Sequence, residues 1–186
     1  LPDGQPIVWT SSILKKKLES RLTGSDLFPV FWRRSKEENK RVLCITPTNE
    51  AAELLYQDNP GCFTYTPPYV DSSDTRALKR IASTITSIID KENIDFVVVG
   101  ISLPKRELLT EIVLELINDK KCVFLLLGAA FEFYLGLKAR APVLIRYFGF
   151  EWFYRVCQEP RRLFRRYFVD GWSFCRIFID ELRSSK

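Results

Sequence analysis

The sequence predicts an α/β protein: a parallel-sheet, Rossmann-like sandwich followed by a C-terminal helical appendage. Three observations carry that reading. Short apolar runs at Arg41–Ile45, Phe63–Tyr65, Asp95–Val99 and Cys122–Leu127 alternate with stretches of helical periodicity. The linkers between them are short, as βαβ units covered on both faces require. After Pro142 the strand-like runs stop, and apolar residues recur every three or four positions. The chain therefore divides into an α/β body over 1–142 and a basic, aromatic helical appendage over 143–186.

Taken in order, Leu1–Thr10 reads as a loop or strand end, with Asp3 and Gly4 forming a turn pair. Ser11 or Ser12 caps a helix running to Leu22, because Ile13, Leu14, Leu18 and Leu22 fall on one face. Thr23 to Asp26 interrupt it. A second helix over Leu27–Asn39 turns Phe28, Phe31 and Trp32 inward. After the strand Arg41–Ile45, residues 46–49 turn into a helix over Glu50–Asp58, which Asn59, Pro60 and Gly61 stop. Phe63–Tyr65 is a strand and Pro67–Tyr69 a rigid loop. Leu78, Ile81, Ile85, Ile88 and Ile89 make the buried stripe of a helix over Ser72–Lys91. Asp95–Val99 is a strand, Gly100–Pro104 a loop and Lys105–Asp119 a helix. The run Cys122–Ala130 reads as a buried strand. Gly149–Gln158 is a short helix. Glu159 and Pro160 open a last amphipathic helix of roughly 24 residues, about 36 Å long.

A chain of 186 residues is long enough for one domain with a substantial core. Its net charge is +5, unevenly placed: from Lys138 onward 11 Lys and Arg face 5 Asp and Glu, so the rest is near neutral. Of the 25 aromatics, 12 lie from Tyr147 onward. A basic, aromatic tail on a neutral body points to an anionic surface as partner. No apolar run reaches the roughly 18 residues of a membrane span. Five cysteines without metal spacing read as reduced, mostly buried thiols. The absence of His removes His triads, His bases and His metal sites. The absence of Met, with Leu1 leading, reads as a piece of a longer chain.

Several constellations carry chemistry. Arg21, Thr23, Gly24 and Ser25 suit phosphate or sugar hydroxyls, and equally a helix end followed by a cap. Gly100 and Gly128 each follow a strand, where backbone lies open to a phosphate beyond the carboxyl ends. Pro104, Lys105, Arg106 and Glu107 open a helix after Gly100, and helix N–H groups there favour an anion such as a diphosphate. An ordinary loop with solvated charges has the same composition. Glu132, between Phe131 and Phe133, suits a sugar hydroxyl or a structural role. Arg140 and Glu151 pair as a structural ion pair. Arg155, Arg161, Arg162, Arg165 and Arg166 interleave with Trp152, Phe153, Phe164, Tyr167 and Trp172, as in an interfacial helix on anionic lipid. No nucleic-acid-reading motif accompanies them.

In sequence order these motifs resemble the WecG/TagA/CpsF glycosyltransferases along nearly the whole chain. Pro2–Gly4 is similar to that family's PDG segment, and Arg21–Asp26 to its segment around VTG. Pro67 and Pro68 suit its mid-chain loop, and Gly100 with Pro104–Glu107 resembles its PKQE segment. Gly128–Glu132, Gly136, Arg140–Pro142, Glu151, Trp152, Arg155, Glu159 and Pro160 complete the pattern. Arg106 stands where the family has Gln, and Glu132 where it has Asp.

The resemblance implies an inverting, metal-independent enzyme with no cofactor. It would move a sugar from a UDP-sugar to a polyprenyl-diphosphate-linked saccharide for a cell-surface polysaccharide such as teichoic acid. Asp3 would be the general base. Arg21, Thr23, Gly100, Arg106, Glu107, Gly128 and Glu132 would hold the nucleotide sugar. Arg155, Arg161, Arg162, Arg165 and Arg166 would meet the lipid diphosphate or the membrane, placing the protein peripherally on the inner face of the cell membrane. Nucleic acid is not an expected partner, and homo-oligomerisation is left open. The competing reading is a degenerate homologue, a non-catalytic membrane-surface or partner-binding module.

Overall fold

The computed structural model describes residues 5–14, 17–19, 21–117, 122–142, 144–145, 148–158, 160, 163, 172, 174 and 176–183, without the side chains of Gln5, Pro6 and Arg155. The chain forms two compact units, Gly24–Lys138 and a second made of Leu1–Thr23 with Ala139–Lys186.

Four strands form the sheet of the first unit: β1 (Val42–Ile45), β2 (Phe63–Tyr65), β3 (Phe96–Val99) and β4 (Val123–Leu126). They are ordered β2-β1-β3-β4, and every pairing is parallel. Leu43 lies beside Phe63 on one side and Val97 on the other, and Val97 beside Phe124. Side chains alternate across a strand, so each strand feeds two cores. Leu43, Ile45, Val97 and Val99 meet α4 (Thr75–Glu92) and α5 (Lys105–Leu116). Val42, Cys44 and Val98 meet α2 (Gly24–Glu37), α3 (Asn49–Asp58) and α6 (Ala130–Tyr134). Burial on both faces explains why β1 and β3 are unbroken apolar runs. The expected α/β class with a parallel sheet is what the unit contains.

The helices follow their local chemistry. Thr48 caps α3 by accepting the Ala51 N–H at 3.2 Å. Asp74 caps α4 by accepting the Ala77 N–H at 3.0 Å. Asn93, at φ 48°, ends α4 in the left-handed region and donates its N–H to the Ile89 carbonyl. Along α4, Leu78, Ile81, Ala82, Ile85 and Ile89 are buried, while Ile88 is half-buried. Full burial of each large aliphatic is worth roughly 1.5–3 kcal/mol.

Several expectations require correction. Residues 5–13 are not a loop: α1 spans Gln5–Ile13, and the segments 17–19 and 21–23 are not helical. Pro6 is tolerated because it lies in the first turn. Ser11, read as a cap, sits inside that helix. Its hydroxyl donates to the Val8 carbonyl at 2.7 Å and accepts the Leu18 N–H at 3.1 Å, so the chain folds back instead of continuing. The second helix starts at Gly24 rather than Leu27, and α5 ends at Leu116 rather than Asp119. The Cys122–Ala130 run is not one buried strand. Among the described residues β4 is an edge strand with Val123 about half exposed, and Ala130 already belongs to α6. In the second unit α7 spans Glu151–Gln158. Helical backbone is described over 176–183, and most of the long helix expected after Pro160 lies outside the described residues. Among the described residues no helix is long and apolar enough to cross a membrane.

One carboxylate ties three helices of the sheet unit together. Asp58 Oδ2, at the end of α3, accepts from Trp32 Nε1 at 2.5 Å, Lys36 Nζ at 3.0 Å and Tyr134 Oη at 3.1 Å. Burial pushes the Asp58 carboxyl up, but these three donors together hold it below the usual range. Trp32 is fully buried, so removing its acceptor strands an indole N–H. Asp58→Leu is expected to cost about 1–3 kcal/mol in urea denaturation, and Asp58→Asn, which keeps an acceptor, distinctly less. Because the folded-state value is depressed, the wild-type contribution is present above the unfolded aspartate value of about 4 and is lost as pH falls through the lower folded value. Asp58→Asn should remove that acid-side dependence. The carboxylate is partly exposed, so the electrostatic share is small.

Candidate active site

The strand order reverses beside β1. The chain leaves β1 for β2 on one side, then returns past β1 to β3 on the other. In doubly wound sheets ligands sit beyond the carboxyl ends at such a reversal. Here the backbone is drawn tight: the Gly100 N–H donates to the Ile45 carbonyl at 2.8 Å, and the Gly128 N–H to the Val99 carbonyl at 3.1 Å.

The two glycines serve different ends. A Cβ on Gly100 would lie 2.4 Å from the edge of the Phe131 ring and 3.1 Å from the Ile45 carbonyl oxygen. The missing side chain therefore makes room for Phe131, a fully buried ring that sequence reading placed beside the site without assigning this contact. Gly128 has φ +57°, and a Cβ there would lie 2.9 Å from Arg106 Nη1. The Arg106 guanidinium thus rests on bare backbone just beyond β4.

Arg106 stands in the first turn of α5, where helix N–H groups add to its positive field. Its Nε and Nη2 donate to Glu107 Oε1 at 2.7 and 2.6 Å. Glu107 Oε2 is buried and accepts no hydrogen bond among the described residues. Glu132, in the first turn of α6, accepts from Lys138 Nζ at 2.9 Å. Gly136, at φ +73°, lies in the turn that brings Lys138 back, a partner that sequence reading did not single out. Gly100, Arg106, Glu107 and Gly128 thus gather at the carboxyl ends of β3 and β4. Glu132 follows Phe131, whose ring covers Gly100.

Two thiols of this unit are ill suited to thiol chemistry. Cys44 and Cys62 are buried; burial raises both thiols, Cys62 to about 11, so neither forms a thiolate readily.

The second unit holds a separate ionic cluster. Arg21 Nη2 donates to Glu151 Oε2 at 2.6 Å. Arg140 Nε lies 4.0 Å from Glu151 Oε1, and Arg140 Nη2 donates to Thr23 Oγ1 at 3.3 Å. The expected pairing of Arg140 with Glu151 is present at the outer limit of an ion pair, while the short bond belongs to Arg21. Glu151 opens α7, where a carboxylate also favours the helix dipole. Glu151 and Thr23 are buried, and both guanidinium groups are largely so. Asp3, Arg161, Arg162, Arg165 and Arg166 lie outside the described residues, as does the side chain of Arg155 on α7.

The sheet unit is a doubly wound α/β protein whose carboxyl edge gathers Gly100, Arg106, Glu107 and Gly128. Across residues 1–186 the sequence matches the glycosyl transferase WecG/TagA/CpsF family, and the chain belongs to that family. It is similar to the N-acetylglucosaminyldiphosphoundecaprenol N-acetyl-beta-D-mannosaminyltransferase of Staphylococcus aureus strain MW2, with 29% identity over 169 residues, 88% of this chain and 62% of that one. The protein of the same name from strain NCTC 8325 matches with the same identity and coverage, 29% over 169 residues. The chain thus spans 62% of the length of the curated relatives it matches.

Removing one member of a buried ion pair strands the other charge, at a cost of about 3–5 kcal/mol. Glu151→Ala leaves Arg21 and Arg140 facing each other. It is expected to lower stability by about that amount in chemical denaturation. Arg140→Ala, which removes the more distant guanidinium, should cost less.

Proposed function

We propose that this protein is an inverting glycosyltransferase that moves an N-acetylhexosamine or hexose from a UDP-sugar to a saccharide on a polyprenyl diphosphate. Membership of the WecG/TagA/CpsF family across residues 1–186 carries the reading. The similar Staphylococcus aureus proteins, whose name states transfer of N-acetylmannosamine to an undecaprenol-diphosphate-linked N-acetylglucosamine, indicate the substrate class.

In this reading the UDP diphosphate lies over Gly128, against the Arg106 guanidinium and the first turn of α5. Glu107 Oε2, buried without a donor, takes a hydroxyl of the nucleotide sugar. Glu132 orients the transferred sugar, with Lys138 holding its carboxylate. Asp3 removes the proton from the acceptor hydroxyl as its oxygen bonds to the anomeric carbon. The bond to the β-phosphate breaks on the opposite face, so configuration inverts and UDP leaves with the bonding electrons. Arginine charge, not a metal ion, offsets the charge that develops on UDP. Arg21 and Thr23, the other residues expected to hold the nucleotide sugar, bond to Glu151 and Arg140 within the second unit.

The second unit also supports a peripheral position at a membrane surface. Trp9 and Ile13 on α1, and Trp152 and Phe153 on α7, are exposed. Arg155, Arg161, Arg162, Arg165 and Arg166 add positive charge close to them in sequence.

Two measurements test this. The protein should release UDP from a UDP-sugar in the presence of a polyprenyl-diphosphate-linked acceptor. Asp3→Asn should lower turnover by about 10²–10⁴-fold with donor binding retained; an unchanged rate removes Asp3 from the mechanism. Replacing Arg161, Arg162, Arg165 and Arg166 by Glu should abolish sedimentation with vesicles containing anionic lipid, while leaving UDP binding in place. Vesicle binding without any UDP release or UDP affinity would instead identify a non-catalytic membrane module.

A further inference from the structure

Glu132, the acid assigned to the transferred sugar, stands on the shortest of the described helices of the sheet unit. Helix α6 has five residues, and Ala129 before it offers no side-chain cap. A helix of that length does not hold itself in water. Its seat therefore comes from what its side chains grip.

Two grips lie on one side, since positions 131 and 134 are three residues apart. The Phe131 ring fills the space over Gly100. Phe28 of α2 meets Phe131 edge-on at 4.9 Å and Tyr134 at 5.3 Å between ring centroids. Phe131 is fully buried, whereas Tyr134 keeps 37% of its surface exposed, so apolar packing alone does not account for it. Its hydroxyl donates to Asp58 Oδ2 at 3.1 Å. That acceptor is itself fixed, because it also accepts from the fully buried Trp32 and from Lys36.

Glu132 leaves the helix on the other side. At about 100° per residue, positions 132 and 134 are about 200° apart around the axis. Lys138 joins Glu132 there: its N–H donates to the Glu132 carbonyl at 3.0 Å and its Nζ to Oε2 at 2.9 Å. An ammonium on a flexible stem, about a third exposed, follows the carboxylate rather than fixing it. The rotation of α6 about its axis is thus set from the far side. Ring packing against Phe28 tolerates sliding, but the Tyr134–Asp58 bond is directional.

We propose that Tyr134 is a positioning residue for the transfer reaction, its hydrogen bond to Asp58 setting the rotation of α6 and with it the place of the Glu132 carboxylate. This rests on the reading of Glu132 as the acid that orients the transferred sugar. A reacting group misplaced by about 1 Å loses up to about 10²-fold in rate. Gly128 and Arg106, which carry the UDP in the same reading, lie outside α6.

UDP release from a UDP-sugar with a polyprenyl-diphosphate-linked acceptor tests this in four full-length proteins: wild type, Tyr134→Phe, Glu132→Ala and the double variant. UDP affinity by isothermal titration and thermal unfolding are measured alongside. Tyr134→Phe keeps the ring against Phe28 and removes only the hydroxyl, so it should fold with UDP affinity unchanged and kcat lowered by about tenfold. In the Glu132→Ala background the same replacement should have no further effect, because residues that act through one group are not additive. A wild-type kcat in Tyr134→Phe overturns the positioning role. So do losses that multiply in the double variant, or a fall in kcat accompanied by an equal fall in UDP affinity. Wild-type turnover in Glu132→Ala defeats the sugar-site reading of Glu132, and a wild type that neither binds nor releases UDP defeats the transferase reading; the positioning role falls with either.

Discussion

Double-sided burial of β1 is the constraint on which the sheet unit depends. Val42, Leu43, Cys44 and Ile45 are all essentially inaccessible to water. Backbone groups on such a strand have nowhere to find partners except in neighbouring strands, so β2 and β3 must pair with it in register along its length. Helices must then cover both faces, and parallel pairing sends each connection back over a face of the sheet. The loops at the carboxyl ends follow from this. They gather Gly100, Gly128 and the start of α5 because three successive strands end at one level. The candidate chemistry occupies the border where the strands' carboxyl ends meet the loops that open α5 and α6.

The same logic separates what could be read in the sequence from what could not. A strand buried on both faces is an unbroken apolar run, so β1 and β3 were legible directly. Helix α4 was legible because its stripe repeats cleanly between a capping Asp74 and Asn93. The first helix was misread because a side-chain bond decided it. Ser11 is a good cap by composition, yet its hydroxyl serves Val8 and Leu18 instead. The apolar run at Cys122–Ala130 looked buried, but its position in the sheet order governs exposure, and that order is a long-range property.

For the candidate site, local motifs and family resemblance indicated Gly100, Arg106, Glu107, Gly128 and Glu132. Their partners were less visible. Arg21 and Glu151 are 130 positions apart, and no periodicity links them. Asp58 looked like the end of a helix and is a three-donor junction. The packing of Phe131 against Gly100 depends on how α6 meets the end of β3, which no window of sequence contains.

That last contact bears on how the protein can evolve. Ring and glycine occupy complementary volumes, so a methyl group at position 100 and a phenyl group at position 131 exclude each other in the present backbone. Descendants that acquire a side chain at 100 must first shrink 131, passing through a form with an empty space beneath the β3–α5 loop. The two positions are therefore epistatic, and the route between their alternative pairs runs in one direction only: hollow first, then refill.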